Sequence, residues 1–147
     1  MKYIVYTDAA GSYEDNKVGC AFIILTNEHF VASNYYTIEG MSNPTFAETI
    51  AVGLASGYLV ENVKLNPDDV VEFNIDCIST IDFCEKHAKK DRTGNIPSPE
   101  IKVVVAVKLL RSLYAKCRVN LFKVKAHKAV LNPNSYVDRL SKLGVRI

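Results

Sequence analysis

Two runs rich in β-branched and aromatic residues, KYIVYTD and VVEFNID, each finish on an aspartate, Asp8 and Asp76. This repeated pattern of strand then carboxylate constrains the fold more than any other feature of the chain. Both runs read as strands. The first enters a turn at Ala9-Ala10-Gly11-Ser12, and the second follows the turn Asn66-Pro67-Asp68-Asp69 and leads into a helix over 79–89. Residues 17–26 and 29–38 form two further strands joined at Asn27-Glu28, so three sequential strands open the fold. From 43 to 60 the residues Ala47, Ile50, Ala51, Leu54, Ala55, Tyr58 and Leu59 recur at helical spacing, with Ser42 or Asn43 as cap and Pro44 in the first turn. Gly53 and Gly57 weaken that helix by about 1 kcal/mol each against alanine, a cost that close packing on the sheet explains. Residues 90–99, with Gly94, Pro97 and Pro99, read as a loop. Residues 100–116 read as a helix on length, despite Val103-Val104-Val105, and 118–125 as a last strand. Asn132-Pro133 then opens a terminal helix that ends near Gly144. This order predicts an α/β fold, a mixed five-stranded sheet with its first three strands antiparallel and helices flanking it, in a single domain over 1–147. Ligands of such sheets gather beyond the carboxyl ends of strands, where Asp8 and Asp76 fall.

Charge is divided unevenly along this frame. Residues 1–85 carry 3 Lys/Arg against 13 Asp/Glu, and residues 86–147 carry 15 against 3, so a net charge of +2 conceals two strongly opposed halves. Folded into one body, they give either an acidic pocket beside a basic surface, suited to a metal-dependent enzyme acting on a polyanion, or simply two halves that attract. Hydrophobic residues make up 48% of the chain and charged residues 23%, ordinary proportions for a globular protein, and no window is apolar enough for a membrane span. The N-terminal run reaches Asp8 too soon for a signal peptide. Cys20, Cys77, Cys84 and Cys117 form no C-x-x-C pair and no compact disulfide framework, so they read as reduced, mostly buried thiols of a cytoplasmic protein.

Each candidate also has a plain structural reading. An aspartate at a strand end is often a turn former or cap. Glu48 lies at the edge of its helix's apolar stripe, where a surface carboxylate is ordinary. Asp138, beside Val137, is placed to pair with Arg139 or Lys142. His29 and His87 read as surface residues.

Taken together, the segments YTDAAGS, FAETIAVGLA, FNIDCIST and VKAHKAVLNPNSYVDRLSK, in this order and on these elements, resemble the type 1 ribonuclease H family over nearly the whole chain. The resemblance implies a metal-dependent endonuclease that hydrolyses the RNA strand of RNA–DNA hybrids, leaving a 5′-phosphate and a 3′-hydroxyl. It also implies two Mg²⁺ ions, with Mn²⁺ able to substitute, held by Asp8, Glu48, Asp76 and Asp138. Such a pair activates water and neutralises the leaving oxygen, and magnesium prefers oxygen ligands. The resemblance gives His127 a proton-relay or product-release role and puts Asn134, four residues before Asp138, on the same side of the helix. Ser42, Asn43 and Thr45 are implied contacts to phosphate or sugar. Lys86, Lys89, Lys90 and Arg92 stand where bacterial relatives carry a basic, tryptophan-rich protrusion, and Lys89 and Lys90 are the candidates for substrate contact. The expected partner is an RNA–DNA hybrid, with no membrane, for a monomer. Two departures bear on specificity: Ala9 replaces a glycine common in relatives, and Cys77-Ile78 replaces a serine and glutamine of bacterial members, which removes a minor-groove hydrogen bond. Two alternatives stay open, a related structure-selective nuclease and a nucleic-acid-binding module of the same fold with weak or no turnover.

Overall fold

The computed structural model describes residues 1–12, 16–27, 29–40, 43–89, 94–96, 100–124, 137, 138 and 140–142. The strands β1 (Lys2–Ser12), β2 (Lys17–Leu25), β3 (Phe30–Glu39), β4 (Val70–Ile75) and β5 (Arg118–Lys123) form one sheet in the order β3-β2-β1-β4-β5. β1, β2 and β3 pair antiparallel, whereas β4 and β5 add in parallel beside β1. The helices are α1 (Pro44–Asn62), α2 (Ile78–Ala88) and α3 (Ile101–Lys116). The expected mixed five-stranded sheet is therefore present. Among the described residues no helix is long and apolar enough to cross a membrane.

Burial explains the order of the strands. β2 is buried along almost its whole length, as a strand covered on both faces must be, while β4 alternates between half-buried and buried positions. One face of the sheet carries the main core, in which Val5, Phe22, Ile24, Val71, Phe73 and Ile75 pack with Ile50, Leu59, Val107 and Leu110 of α1 and α3. On the other face Val137 packs with Ala21 and Ile23. Val137 is thereby seated against β2.

Two elements differ from the sequence reading in ways that matter for the site. β1 does not turn after Asp8. It runs on to Ser12, because Ala9–Ser12 pair with Lys17–Cys20 in the hairpin with β2. Its parallel pairing with β4 stops earlier, at Thr7 opposite Ile75, so Asp8 is the first residue at which β1 outruns β4. The close packing expected of Gly53 is against α3 and not against the sheet: a Cβ added there would lie 2.4 Å from Ala106 Cβ and 2.5 Å from its Cα. Only glycine lets the two helices approach so closely.

Candidate active site

Asp8 is placed by its register. Alternation along β1 puts Val5 and Ala9 toward the main core and Tyr6 toward the face covered by Val137, and Asp8 shares the side of Tyr6. Directly across the hairpin from Asp8 is Ala21, against which Val137 packs. The next residue, Asp138, acts on Asp8 from that side, its carboxyl raising the Asp8 pKa.

Glu48 reaches the same place from α1. The helix begins cleanly: Asn43 accepts a hydrogen bond from Phe46 N at 3.2 Å and Pro44 occupies the first turn. One turn later Glu48 is carried over the edge of β1. The backbone amide of Ala9 donates to both Asp8 Oδ1 (2.9 Å) and Glu48 Oε1 (3.2 Å), tying the two carboxyls to one N–H. Ala9 has no left-handed backbone, since Asn16 alone among the described non-glycine residues has positive φ. Alanine therefore fills this position without strain.

Asp8 is only 4% exposed and Glu48 only 8%. The surface position considered for Glu48 is thus not the observed one. The remaining oxygens, Asp8 Oδ2 and Glu48 Oε2, are buried and have no hydrogen-bond partner among the described residues. Burying carboxylates without donors disfavours their ionised form. Burial, followed by the neighbouring Asp138 carboxyl, pushes Asp8 up to about 7. Burial, followed by the charge of Asp8, pushes Glu48 up to about 10. Below these values the pair holds protons, and above them it is an unneutralised concentration of negative charge. Cys20, across the hairpin from Ala9 and 3.4 Å from Ala47 O, is also pushed up to about 12 by burial and by the two carboxylates, so it remains a neutral thiol.

Asp76 and Asp138 are placed differently. Asp76 follows the last residue of β4 and therefore lies one strand, about 4.8 Å, from the level of Asp8. Its Oδ1 is 3.7 Å from Lys123 Nζ at the end of β5. Asp138 Oδ2 is 3.0 Å from Lys142 Nζ, one turn along the helix, as the plain reading of its sequence anticipated. The fold thus assembles an inner pair, Asp8 and Glu48, and brings Asp138 beside it. Among the described residues no three His, Cys, Asp or Glu side chains already stand close enough to enclose an ion. The donor set nevertheless fits a hard divalent cation: two buried carboxylates, each with one oxygen unclaimed by any donor among the described residues, are the ligands such an ion prefers.

Around this centre, α1 and α2 are stitched together at their first turns. Thr45 Oγ1 lies 2.7 Å from Ser79 Oγ, Ser79 Oγ lies 2.9 Å from Cys77 Sγ, and Thr80 Oγ1 donates to Thr45 O at 3.4 Å. Burial opposes ionisation of Cys77, but hydrogen bonds from Ser79 and Thr80 outweigh it and hold the thiol below its ordinary value. Ser79 had no signal in the sequence reading beyond its place at a helix start. Asn43 and Thr45 both lie at the α1 end of this cluster. Lys89 does not: it follows the other end of α2, an 11-residue helix about 16 Å long, and lines a separate surface groove with Lys116 and Arg118. Ser42, Lys90, His127 and Asn134 lie outside the described residues. Sequence reasoning missed Lys123 and the bridging amide of Ala9. The first depends on β5 ending level with Ile75, the residue before Asp76; the second depends on β1 continuing past Asp8 and had no signal.

Comparison with known proteins agrees with this architecture. Residues 1–146 match the RNase H family. The N-terminal RNase H domain of a Mycobacterium tuberculosis protein, solved as a fusion with maltose-binding protein, superposes with a TM-score of 0.69 at 16% identity, covering 99% of this chain and 94% of that one. RNase H1 from the halophilic archaeon Halobacterium salinarum superposes with a TM-score of 0.64 at 16% identity, covering 99% and 98%. At such identities the likeness is one of fold. No curated protein sequence matches the chain.

Proposed function

The chain belongs to the RNase H family, and we propose that it is a divalent-metal-dependent endonuclease that cuts the RNA strand of RNA–DNA hybrids. The observation that carries this reading is the buried Asp8–Glu48 pair, tied to one amide and presenting two oxygens without donors among the described residues. A structural pair of that kind is unfavourable by itself, because like charges in a desolvated place repel. It becomes favourable with a cation between its oxygens.

In this reading Asp8, Glu48, Asp76 and Asp138 would together hold the two divalent ions that the family resemblance implies. Bound Mg²⁺ or Mn²⁺ supplies an acidified water nucleophile and neutralises charge on the leaving oxygen. The chain's own residues orient and exclude. The Ala9 amide fixes the inner carboxyls, and Val137, seated on Ala21, holds Asp138 in place. The first turns of α1 and α2, with Asn43, Thr45 and Ser79, offer N–H and hydroxyl donors to a phosphate backbone. His127 is assigned proton relay or product release and Asn134 a supporting role near the active site, both on the sequence resemblance. Ile78 stands 60% exposed in the first turn of α2, where bacterial relatives offer an amide. That apolar side chain favours weaker discrimination for the hybrid than those relatives have.

The test is cleavage of labelled RNA–DNA hybrid, duplex RNA and branched DNA, with and without Mg²⁺ or Mn²⁺. Metal-dependent cutting confined to the RNA strand of the hybrid is expected, lost in Asp8→Asn and Asp76→Asn. Cleavage by both variants at the wild-type rate overturns the assignment, and tight hybrid binding in Mg²⁺ with no product favours a binding module instead.

A further inference from the structure

The fold treats its four carboxylates in two ways. Asp8 and Glu48 are buried, and among the described residues neither has an ion pair. Asp76 and Asp138 are more exposed, and each faces a lysine: Lys123 Nζ at 3.7 Å and Lys142 Nζ at 3.0 Å. We propose that Lys123 and Lys142 are internal counter-ions that compete with the divalent cation for Asp76 and Asp138, so that two lysines as well as four carboxylates set the affinity for metal. This rests on the reading of the carboxylates as metal ligands given above.

Both lysines are positioned by backbone geometry. Lys123 pairs in register with Ile75, the residue before Asp76, and the next amide, Val124 N, donates to Ile75 O at 2.9 Å. The stem of Lys123 therefore starts level with Ile75, one residue before Asp76, and its ammonium is also held by Val124 O at 3.2 Å. Lys142 lies four residues after Asp138, the acid-before-base order that favours pairing on a helix. Without metal, each ammonium offsets part of the repulsion that an outer carboxylate feels from the inner pair. The lysine side chains are 46% and 57% exposed, so each pair is weak and screened by salt. A doubly charged ion displaces them, at reduced affinity. They attenuate binding without blocking it.

These are positioning residues, and Mn²⁺ alone is the probe. Free Mn²⁺ is followed by electron paramagnetic resonance during titration of the whole protein at low salt, without nucleic acid. Lys123→Gln and Lys142→Gln are each expected to tighten Mn²⁺ binding by about 1.5- to 5-fold, with the gain shrinking at high salt. Lys123→Arg and Lys142→Arg are expected to retain wild-type affinity, and Lys108→Gln, which removes the same charge from an exposed part of α3, to change nothing. If Asp8→Asn abolishes binding while the two glutamine variants bind no more tightly than wild type, the counter-ion inference fails and the carboxylate reading stands. Equal tightening by Lys108→Gln also overturns the inference, as a bulk-charge effect. If neither wild type nor any lysine variant binds Mn²⁺, both fall.

Discussion

Replacing Asp8 by asparagine should stabilise the metal-free protein while abolishing its chemistry, and the size of the gain follows from the site. Asp8 is nearly fully buried, and its carboxyl is pushed up to about 7 from an ordinary 3.8. At about 1.4 kcal/mol per pH unit, the ionised form costs the folded state about 4 kcal/mol at most. Asparagine keeps the oxygen that accepts from Ala9 N and carries no charge, so a gain of about 2–3 kcal/mol is expected at pH 8. For a chain of this length that corresponds to a rise in Tm of about 5–10 °C. The sign of the pH dependence follows from proton binding. Between pH 4 and 7 the folded wild type keeps a proton on Asp8 that the unfolded chain has released, so raising the pH favours unfolding. The penalty accumulates across that window and is complete above it. The advantage of Asp8→Asn should therefore be small near pH 4, grow to pH 7 and then level off. Mn²⁺ should reverse it by stabilising the wild type alone. Thermal denaturation in chelator across this pH range is the assay. A variant less stable than wild type at pH 8, or an advantage independent of pH, would refute the electrostatic account of the site.

Other outcomes follow from the packing and from the helix that begins after Asp76. Gly53→Ala should lower stability by about 2 kcal/mol, since overpacking between α1 and Ala106 outweighs the gain in helix propensity. Gly57→Ala, whose added Cβ meets only the flexible end of Leu109 at 3.3 Å, should be neutral or stabilising by up to about 1 kcal/mol. Chemical denaturation distinguishes the two, and equal effects would contradict the helix contact described. Ile78→Gln should strengthen binding to hybrid over duplex RNA by up to about 5-fold, the worth of one hydrogen bond; unchanged discrimination in a competition assay would show that this position does not read the substrate. In the native protein a thiol reagent should modify Cys77 first, because Cys20, Cys84 and Cys117 are buried, and mass mapping showing one of those three modified first would contradict the packing.

Much of the fold was legible because its signals are local. Strand composition around Asp8 and Asp76, the helical spacing from Ala47 to Leu59 and the Asn43-Pro44 start each reflect neighbours in sequence. What the sequence did not disclose depends on partners far along the chain. The strand reading stopped β1 at Asp8 because Ala-Ala-Gly-Ser resembles a turn, yet pairing with β2 overrides that preference. Helical position alone left Glu48 equally compatible with a surface carboxylate, and its burial and its bond from Ala9 N appear only in the folded chain. Gly53 was rightly read as a close contact but with the wrong neighbour, since nothing in α1 announces Ala106. Lys142 could be paired with Asp138 by counting four residues, whereas Lys123 required the register of β5 beside β4. The family resemblance singled out the four carboxylates. The structure adds that they are not equivalent, with a buried pair, Asp8 and Glu48, and a more exposed pair that each face a lysine.

Diffraction from crystals soaked in Mn²⁺, recorded for its anomalous signal, tests the central claim most directly. The expected result is an anomalous peak within coordinating distance of the Asp8 and Glu48 carboxylates, absent from Asp8→Asn crystals. No ion at that position, in a protein that still cuts the hybrid, would contradict it.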